Sequence, residues 1–253
     1  MAEILRVENL SKVFSAAGQD ALVAVDDVSF SLEVGEKLAL IGESGSGKTT
    51  VARLVTRLLD ATSGRIFLNG EDITTARGCR LKQVYQQLQM VFQQPVNSFD
   101  PRWTLGEGIS ESLINNGTLK AEAAAETKRL LALCGLSGDF ARRYPHEVSG
   151  GQCQRAAIAR ALAIKPRLLI LDEATASLDV TVQAEILALL NNLQQELAMS
   201  YLFICHDIAL VQDFCDRVIV LNKGRIVETG TTAEVLGQPQ NAYTQRLLDS
   251  VLV

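Results

Sequence analysis

Residues 42–49 read Gly42-Glu43-Ser44-Gly45-Ser46-Gly47-Lys48-Thr49, the spacing of a phosphate-binding loop, G-x-x-x-x-G-K-[ST]. An apolar run, Leu38-Ala39-Leu40-Ile41, precedes it and reads as a buried strand. A helical pattern follows, with Val51, Leu54, Val55, Leu58 and Leu59 on one face. The chemistry explains the residue types. Glycines let the backbone curl so that several N–H groups point into one concavity. The helix begins there, so its unpaired N–H groups and positive dipole end face the same anion. In this pattern Lys48 reaches the β- and γ-phosphates, Thr49 offers its hydroxyl to Mg2+, and Thr50 lies next to the α-phosphate. A glycine-rich surface turn before an ordinary helix is the bland alternative, and the strand–loop–helix context argues against it.

The chain has 253 residues, which suits one large α/β domain or one domain with an inserted subdomain. A hydrophobic share of 47% is ample for a core, and a net charge of −5 argues against a nucleic-acid-coating protein. Cys79, Cys134, Cys153, Cys205 and Cys215 are scattered and form no C-x-x-C pair. They read as reduced thiols, not as a disulfide framework or zinc site. Met1-Ala2-Glu3 leads straight into strand-like sequence, so no signal peptide is expected. No apolar run approaches the roughly 20 residues that span a bilayer, and docking to a membrane protein stays open.

Outward from the loop, residues 3–41 look β-rich, with Ile4–Val7, Leu22–Phe30 and Lys37–Ile41 as strands. Phe14 is either a base-stacking aromatic or, read alone, a core residue. Arg65-Ile66-Phe67-Leu68 runs into Asn69-Gly70, a hairpin turn signal. Met90-Val91-Phe92 is a short strand ended by Gln93-Gln94-Pro95. Residues 96–163 read as mainly helical, a subdomain inserted into the α/β core, with Gly135 capping a helix from Lys120 to Cys134. Ser149 resembles an N-cap for a helix from Gly151 to Ala163, faced by Ala157, Ile158, Ala161 and Leu162. Leu168-Leu169-Ile170-Leu171 fits a parallel strand covered on both faces. It ends in Asp172-Glu173, at the strand end where open parallel sheets bind ligands. Asp172 suits Mg2+ and Glu173 suits the polarisation of water; two solvated acids after a strand are the alternative. An amphipathic helix, Thr181–Leu197, turns Ile186, Leu189, Leu190, Leu193 and Leu197 inward. The strand Tyr201–Cys205 ends at His206, a candidate contact to the γ-phosphate. A hairpin, Arg217–Leu221 and Arg225–Glu228, precedes a short helical tail.

Taken together, these motifs resemble the ATP-binding subunit of an ATP-binding cassette (ABC) transporter over essentially the whole chain. The Walker A loop is followed by the Q-loop Gln93, the signature Val148-Ser149-Gly150-Gly151-Gln152, the Walker B Asp172 and Glu173, and the switch histidine His206. Phe14 matches the adenine-stacking aromatic and Asp179 the D-loop aspartate. Val148 stands where Leu is more usual, and Glu173-Ala174-Thr175-Ala176-Ser177-Leu178-Asp179 departs from the commoner E-P-T-S-A-L-D. Phe92-Gln93, Ser98-Phe99-Asp100-Pro101-Arg102, Tyr144-Pro145-His146-Glu147 and Asn241-Ala242-Tyr243-Thr244 are similar to the dipeptide, oligopeptide and nickel importer group.

The resemblance implies an α/β fold: a P-loop NTPase (RecA-like) parallel-sheet core, an N-terminal antiparallel β subdomain and an inserted helical subdomain. Residues 1–253 would form one ATPase domain, with 1–95 and 164–253 as the β-rich core and 96–163 as the insertion. ATP would contact Phe14, Gly42, Glu43, Ser44, Gly45, Ser46, Gly47, Lys48, Thr49 and Thr50, and, from a second ATP-binding subunit, Ser149, Gly150, Gly151, Gln152 and Asp179. Mg2+ would sit on Thr49, Gln93 and Asp172. Glu173, His206, Lys48 and Gln93 would carry hydrolysis. The implied partners are integral membrane permease subunits, a like or unlike second ATPase and, indirectly, an extracytoplasmic substrate-binding protein, with no nucleic acid. The implied place is the cytoplasmic face of the inner membrane, as a peripheral subunit. No iron–sulfur site and no sugar-importer regulatory domain are expected. A soluble ABC ATPase without a transport role is the alternative. The single cassette, and the short stretch between Lys48 and Ser149, argue against its ribosomal and chromosomal forms.

Overall fold

A computed structural model of the chain describes residues 2–15, 21–176 and 178–249. Met1 and Ser177, cited above, lie outside them. Two long strands open the fold, β1 (Glu3–Phe14) and β2 (Leu22–Glu33), paired antiparallel from Glu3–Glu33 to Phe14–Leu22. Asn9 takes a left-handed φ of 47° where the register shifts, and its amide holds Asp27 at 2.8 Å. Next come β3 (Lys37–Ile41), α1 (Lys48–Val55), β4 (Ser63–Leu68) and β5 (Glu71–Asp72). Asn69 and Gly70, at φ 51° and 79°, form the expected tight turn between the last two strands. The antiparallel sheet has the order β2-β1-β4-β5.

Helix α1 ends three residues before Leu58, which is 52% exposed rather than inward, because Arg57 swings to φ 59°. A helix the sequence pattern did not announce, α2 (Gly78–Gln87), follows; Val84 is its one fully buried residue, with Leu81 half-buried one turn before it, so its apolar stripe is short. After β6 (Leu88–Val91), residues 96–163 contribute α3 (Leu105–Asn115), α4 (Lys120–Leu133), α5 (Gly150–Leu162) and short 3-10 turns. Thr104 and Glu107 close a capping box at the start of α3, and Gly135 follows α4 at φ 74°.

The remainder alternates: β7 (Leu168–Asp172), α6 (Val180–Leu197), β8 (Ser200–Ile204), α7 (Ile208–Phe214), β9 (Arg217–Asn222), β10 (Arg225–Thr231), α8 (Thr232–Gly237) and α9 (Ala242–Asp249). The second sheet has the order β10-β9-β3-β8-β7-β6 and is parallel except at its β10–β9 edge. Strands β7 and β8 are buried at every position, as continuous apolar strands covered on both faces should be. Side chains alternate between two cores. Ala39, Ile41, Leu169, Leu171 and Phe203 pack toward α5 and α6. Leu38, Leu40, Ile170 and Leu202 pack toward α1 and the antiparallel sheet. On α6, Ile186, Leu190 and Leu193 are buried, but Leu197, at the last turn, is 44% exposed. All five cysteines are free thiols and four are buried; burial disfavours the thiolate and raises Cys134 to about 12 and Cys153 to about 11. Among the described residues, no helix is long and apolar enough to cross a membrane.

Candidate active site

The loop 42–49 leaves the buried end of β3. Gly42 adopts φ 148°, and a Cβ there would stand 2.2 Å from the Leu221 carbonyl oxygen, so the backbone approaches β9 as only glycine permits. Ser46 O accepts from Gly224 N at 2.9 Å, and Gly224 O accepts from Asp26 N at 2.8 Å, so the loop is tied through the β9–β10 turn to β2. Helix α1 starts with no side-chain cap at Gly47, which leaves its first N–H groups to whatever enters the loop. Lys48 Nζ donates to Gly42 O at 2.7 Å and Glu43 O at 2.9 Å. Burial pulls the Lys48 pKa down, against the attraction of Glu173 and Asp172. The Ser46 hydroxyl, within the loop itself, is buried without a hydrogen-bond partner. Glu43, Ser44 and Gly45 are exposed, and Thr49 and Thr50 are half-buried.

Strand β7 brings Asp172 beside this loop. Thr49 Oγ1 donates to Asp172 Oδ1 at 3.3 Å. Asp172 is 6% exposed, and burial holds its carboxyl above the ordinary value, opposed by the Thr49 bond. Glu173 turns away from the strand at φ 47° while its N–H stays bonded to Ile204 O at 2.9 Å. Its Oε2 accepts from Gln93 Nε2 at 2.7 Å and lies 3.8 Å from His206 Nδ1. Residues far apart in sequence therefore converge on one carboxylate oxygen.

The signature residues form a second, separate group. Ser149 caps α5: its Oγ accepts from Gln152 N at 3.3 Å, while Gln152 Oε1 accepts from Ser149 N at 3.0 Å. Gly150 lies against Leu178 and Gly151 against Val182, while Asp179 caps α6 through Val182 N at 3.0 Å. Among the described residues, no hydrogen bond or ion pair joins Ser149, Gly150, Gly151, Gln152 or Asp179 to residues 42–50, Glu173 or His206. Phe14 is 41% exposed, with Lys12 Nζ 5.2 Å from its ring centroid; its reading as a core residue is overturned, and it is the last residue of β1, paired with Leu22.

Two contacts were not foreseen. Tyr243 of α9 reaches the loop, its hydroxyl accepting from Glu43 N at 3.1 Å. Arg160 of α5 donates to Ser98 O and stacks 4.3 Å over Phe99, tying that helix to the segment after Gln93. Tyr243 belongs to a motif already noted, but no sequence period announces a contact 200 residues long.

A glycine loop on a helix N-terminus, facing a strand-end aspartate and a glutamate held by a glutamine and a histidine, defines an ATP-hydrolysing P-loop cassette. The family model of the ABC transporter matches residues 25–176, and the chain belongs to that family. It is 40% identical over 253 residues to the dipeptide transport ATP-binding protein DppF of Lactococcus lactis, a match that covers 98% of this chain and 81% of that protein. It is 47% identical over 231 residues to the glutathione import ATP-binding protein GsiA of Escherichia coli, covering 91% of this chain and 37% of the longer relative. Among solved structures, an ATP-binding cassette in a dimeric post-hydrolysis state with ADP and phosphate superposes with a TM-score of 0.83 at 28% identity, covering 90% of this chain and 98% of that one.

Proposed function

We propose that the chain powers peptide import: two cassettes close on ATP, and their opening and closing drives a membrane permease. The observation that carries this reading is the division of the site within one chain. The loop, Asp172, Glu173, Gln93 and His206 form one half, while Ser149–Gln152 and Asp179 form the other, with no hydrogen bond or ion pair between the halves among the described residues. A second copy, or an unlike ATPase, would bring its signature turn to the first chain's loop. The N–H groups at the start of α5 would then reach the γ-phosphate only in the closed pair. ATP would favour closure because it binds that state better. Moving such an equilibrium from 1:99 to 99:1 takes about 5.5 kcal/mol, which a few charge-assisted hydrogen bonds of about 1.5–3 kcal/mol each supply.

In this reading residues 1–253 are one cassette, with 96–163 as its helical insertion. The backbone of Gly42, Glu43, Ser44, Gly45, Ser46 and Gly47, with Lys48, Thr49 and Thr50, holds the phosphates, and Phe14 stacks on the base. Thr49, Asp172 and Gln93 present oxygen donors, the kind a hard divalent cation takes together with substrate phosphates and water. Bound there, Mg2+ would offset phosphate charge. Glu173 orients the attacking water and accepts its proton, and His206 holds the transferring group. The cassette works at the cytoplasmic face of the inner membrane, bound to permease subunits fed by an extracytoplasmic binding protein.

Peptide is favoured over nickel or another chelated metal because the relatives reported above are named for dipeptide and glutathione. The test is uptake of labelled dipeptide and labelled nickel, offered separately, in cells carrying the wild-type chain or Lys48→Ala. Loss of dipeptide uptake alone is the expected result. Unchanged dipeptide uptake would overturn the reading, and loss of nickel uptake alone would reassign the cargo.

A further inference from the structure

The chain's last helix grips the phosphate loop. Glu228, on β10, accepts hydrogen bonds from Gln240 N at 2.7 Å and Asn241 N at 3.3 Å. Asn241 donates from Nδ2 to Val227 O at 3.3 Å and accepts from Tyr243 N at 2.8 Å. The start of α9 is thus latched to β10 by three bonds, and the fourth closes its own first turn. From that latch the Tyr243 ring turns inward, 8% exposed, and its hydroxyl accepts from Glu43 N.

The bond falls on a particular peptide unit. Gly42 C=O and Glu43 N–H belong to one planar group, whose oxygen and hydrogen point to opposite sides. Lys48 Nζ donates to the oxygen at 2.7 Å, and the Tyr243 hydroxyl accepts from the Glu43 nitrogen at 3.1 Å. The first peptide of the loop is gripped from both sides. The ammonium on one side is the group that must turn to an incoming phosphate. Without the phenol, that peptide would be held by Lys48 alone.

We propose that Tyr243 is a positioning residue of the nucleotide site. It fixes the Gly42–Glu43 peptide and, through it, the resting place of Lys48, so that the C-terminal helix sets the affinity for ATP. The inference rests on the loop being the ATP site. It assigns no role in the chemical step to the phenol, which touches no reacting atom.

The test is Tyr243→Phe, which keeps the ring and removes only the hydroxyl. Binding of Mg-ATP to the full chain, measured by equilibrium dialysis with labelled nucleotide, should weaken by about threefold to tenfold, the loss of one partly buried hydrogen bond. KM for ATP should rise with kcat within about twofold of wild type, the pattern of lost ground-state binding. Hydrogen exchange should quicken in the peptide covering residues 42–46 while α9 keeps its protection. An unchanged Kd with unchanged exchange at 42–46 would overturn the proposal. So would exchange that quickens across α9 but not at the loop, which marks a tail that merely frays. If the wild-type chain itself fails to bind ATP, the reading of the site falls, and the exchange data alone still decide whether Tyr243 holds the loop.

Discussion

Gln93 Nε2 and His206 Nδ1 both face Glu173 Oε2, the first at 2.7 Å and the second at 3.8 Å. The carboxylate that would prepare water is thus engaged by Gln93. A neutral amide in its place keeps the shape and the hydrogen-bonding reach but cannot take a proton. Glu173→Gln should leave ATP binding within about twofold of wild type and lower phosphate release by at least about 100-fold, the usual scale of a lost general base. Hydrolysis at the wild-type rate would remove Glu173 from that role.

The same pair marks what a sequence can and cannot disclose. The loop 42–49 is legible because its chemistry needs particular residue types at fixed spacing. Strands β3, β7 and β8 are legible because both faces are buried, which forces unbroken apolar runs. Helix α2 is not, since Val84 alone is fully buried there and, with half-buried Leu81, makes a stripe too short to stand out among polar residues. The early end of α1 at Val55 depends on one dihedral, at Arg57, for which no pattern exists. The exposure of Leu197 follows from its place in the last turn of α6, just before Ala198 turns to φ 50°. Within the site, the motifs name Gln93, Glu173 and Tyr243, but their meetings across 80 and 200 residues are products of the sheet order.

Asp172 offers a contrast between function and stability. Burial raises its carboxyl in the fold above the ordinary 3.8, so the folded state favours the protonated form. The stabilisation this brings is full below 3.8, the value in the unfolded chain, and is lost as pH rises through the folded value. At pH 7 the fold therefore carries a carboxylate at a cost. Asp172→Asn removes that charge and keeps an oxygen for Thr49. Its melting temperature at pH 7 should exceed that of the wild type by about 2 °C or more, and the gap should narrow as the pH falls. Turnover dependent on Mg2+ should be lost. A variant that melts lower at pH 7 would contradict the account of a strained, functional charge.

Gly151 tests the seam between the signature turn and the aspartate turn. It lies in the first turn of α5, and a Cβ there would stand 2.5 Å from Val182 Cγ1. Val182 is β-branched and follows the Asp179 cap on α6, so its rotamer has little room to give. Gly151→Ala should push the two helix starts apart, cost about 1–3 kcal/mol in a denaturant melt, and depress ATP turnover as Ser149 moves. The clash is with a single side chain, which makes it separable from any other effect of the methyl group. Val182→Ala in the Gly151→Ala background should recover most of the lost stability and part of the turnover. A double mutant whose losses simply add would mean that the two residues do not meet as described.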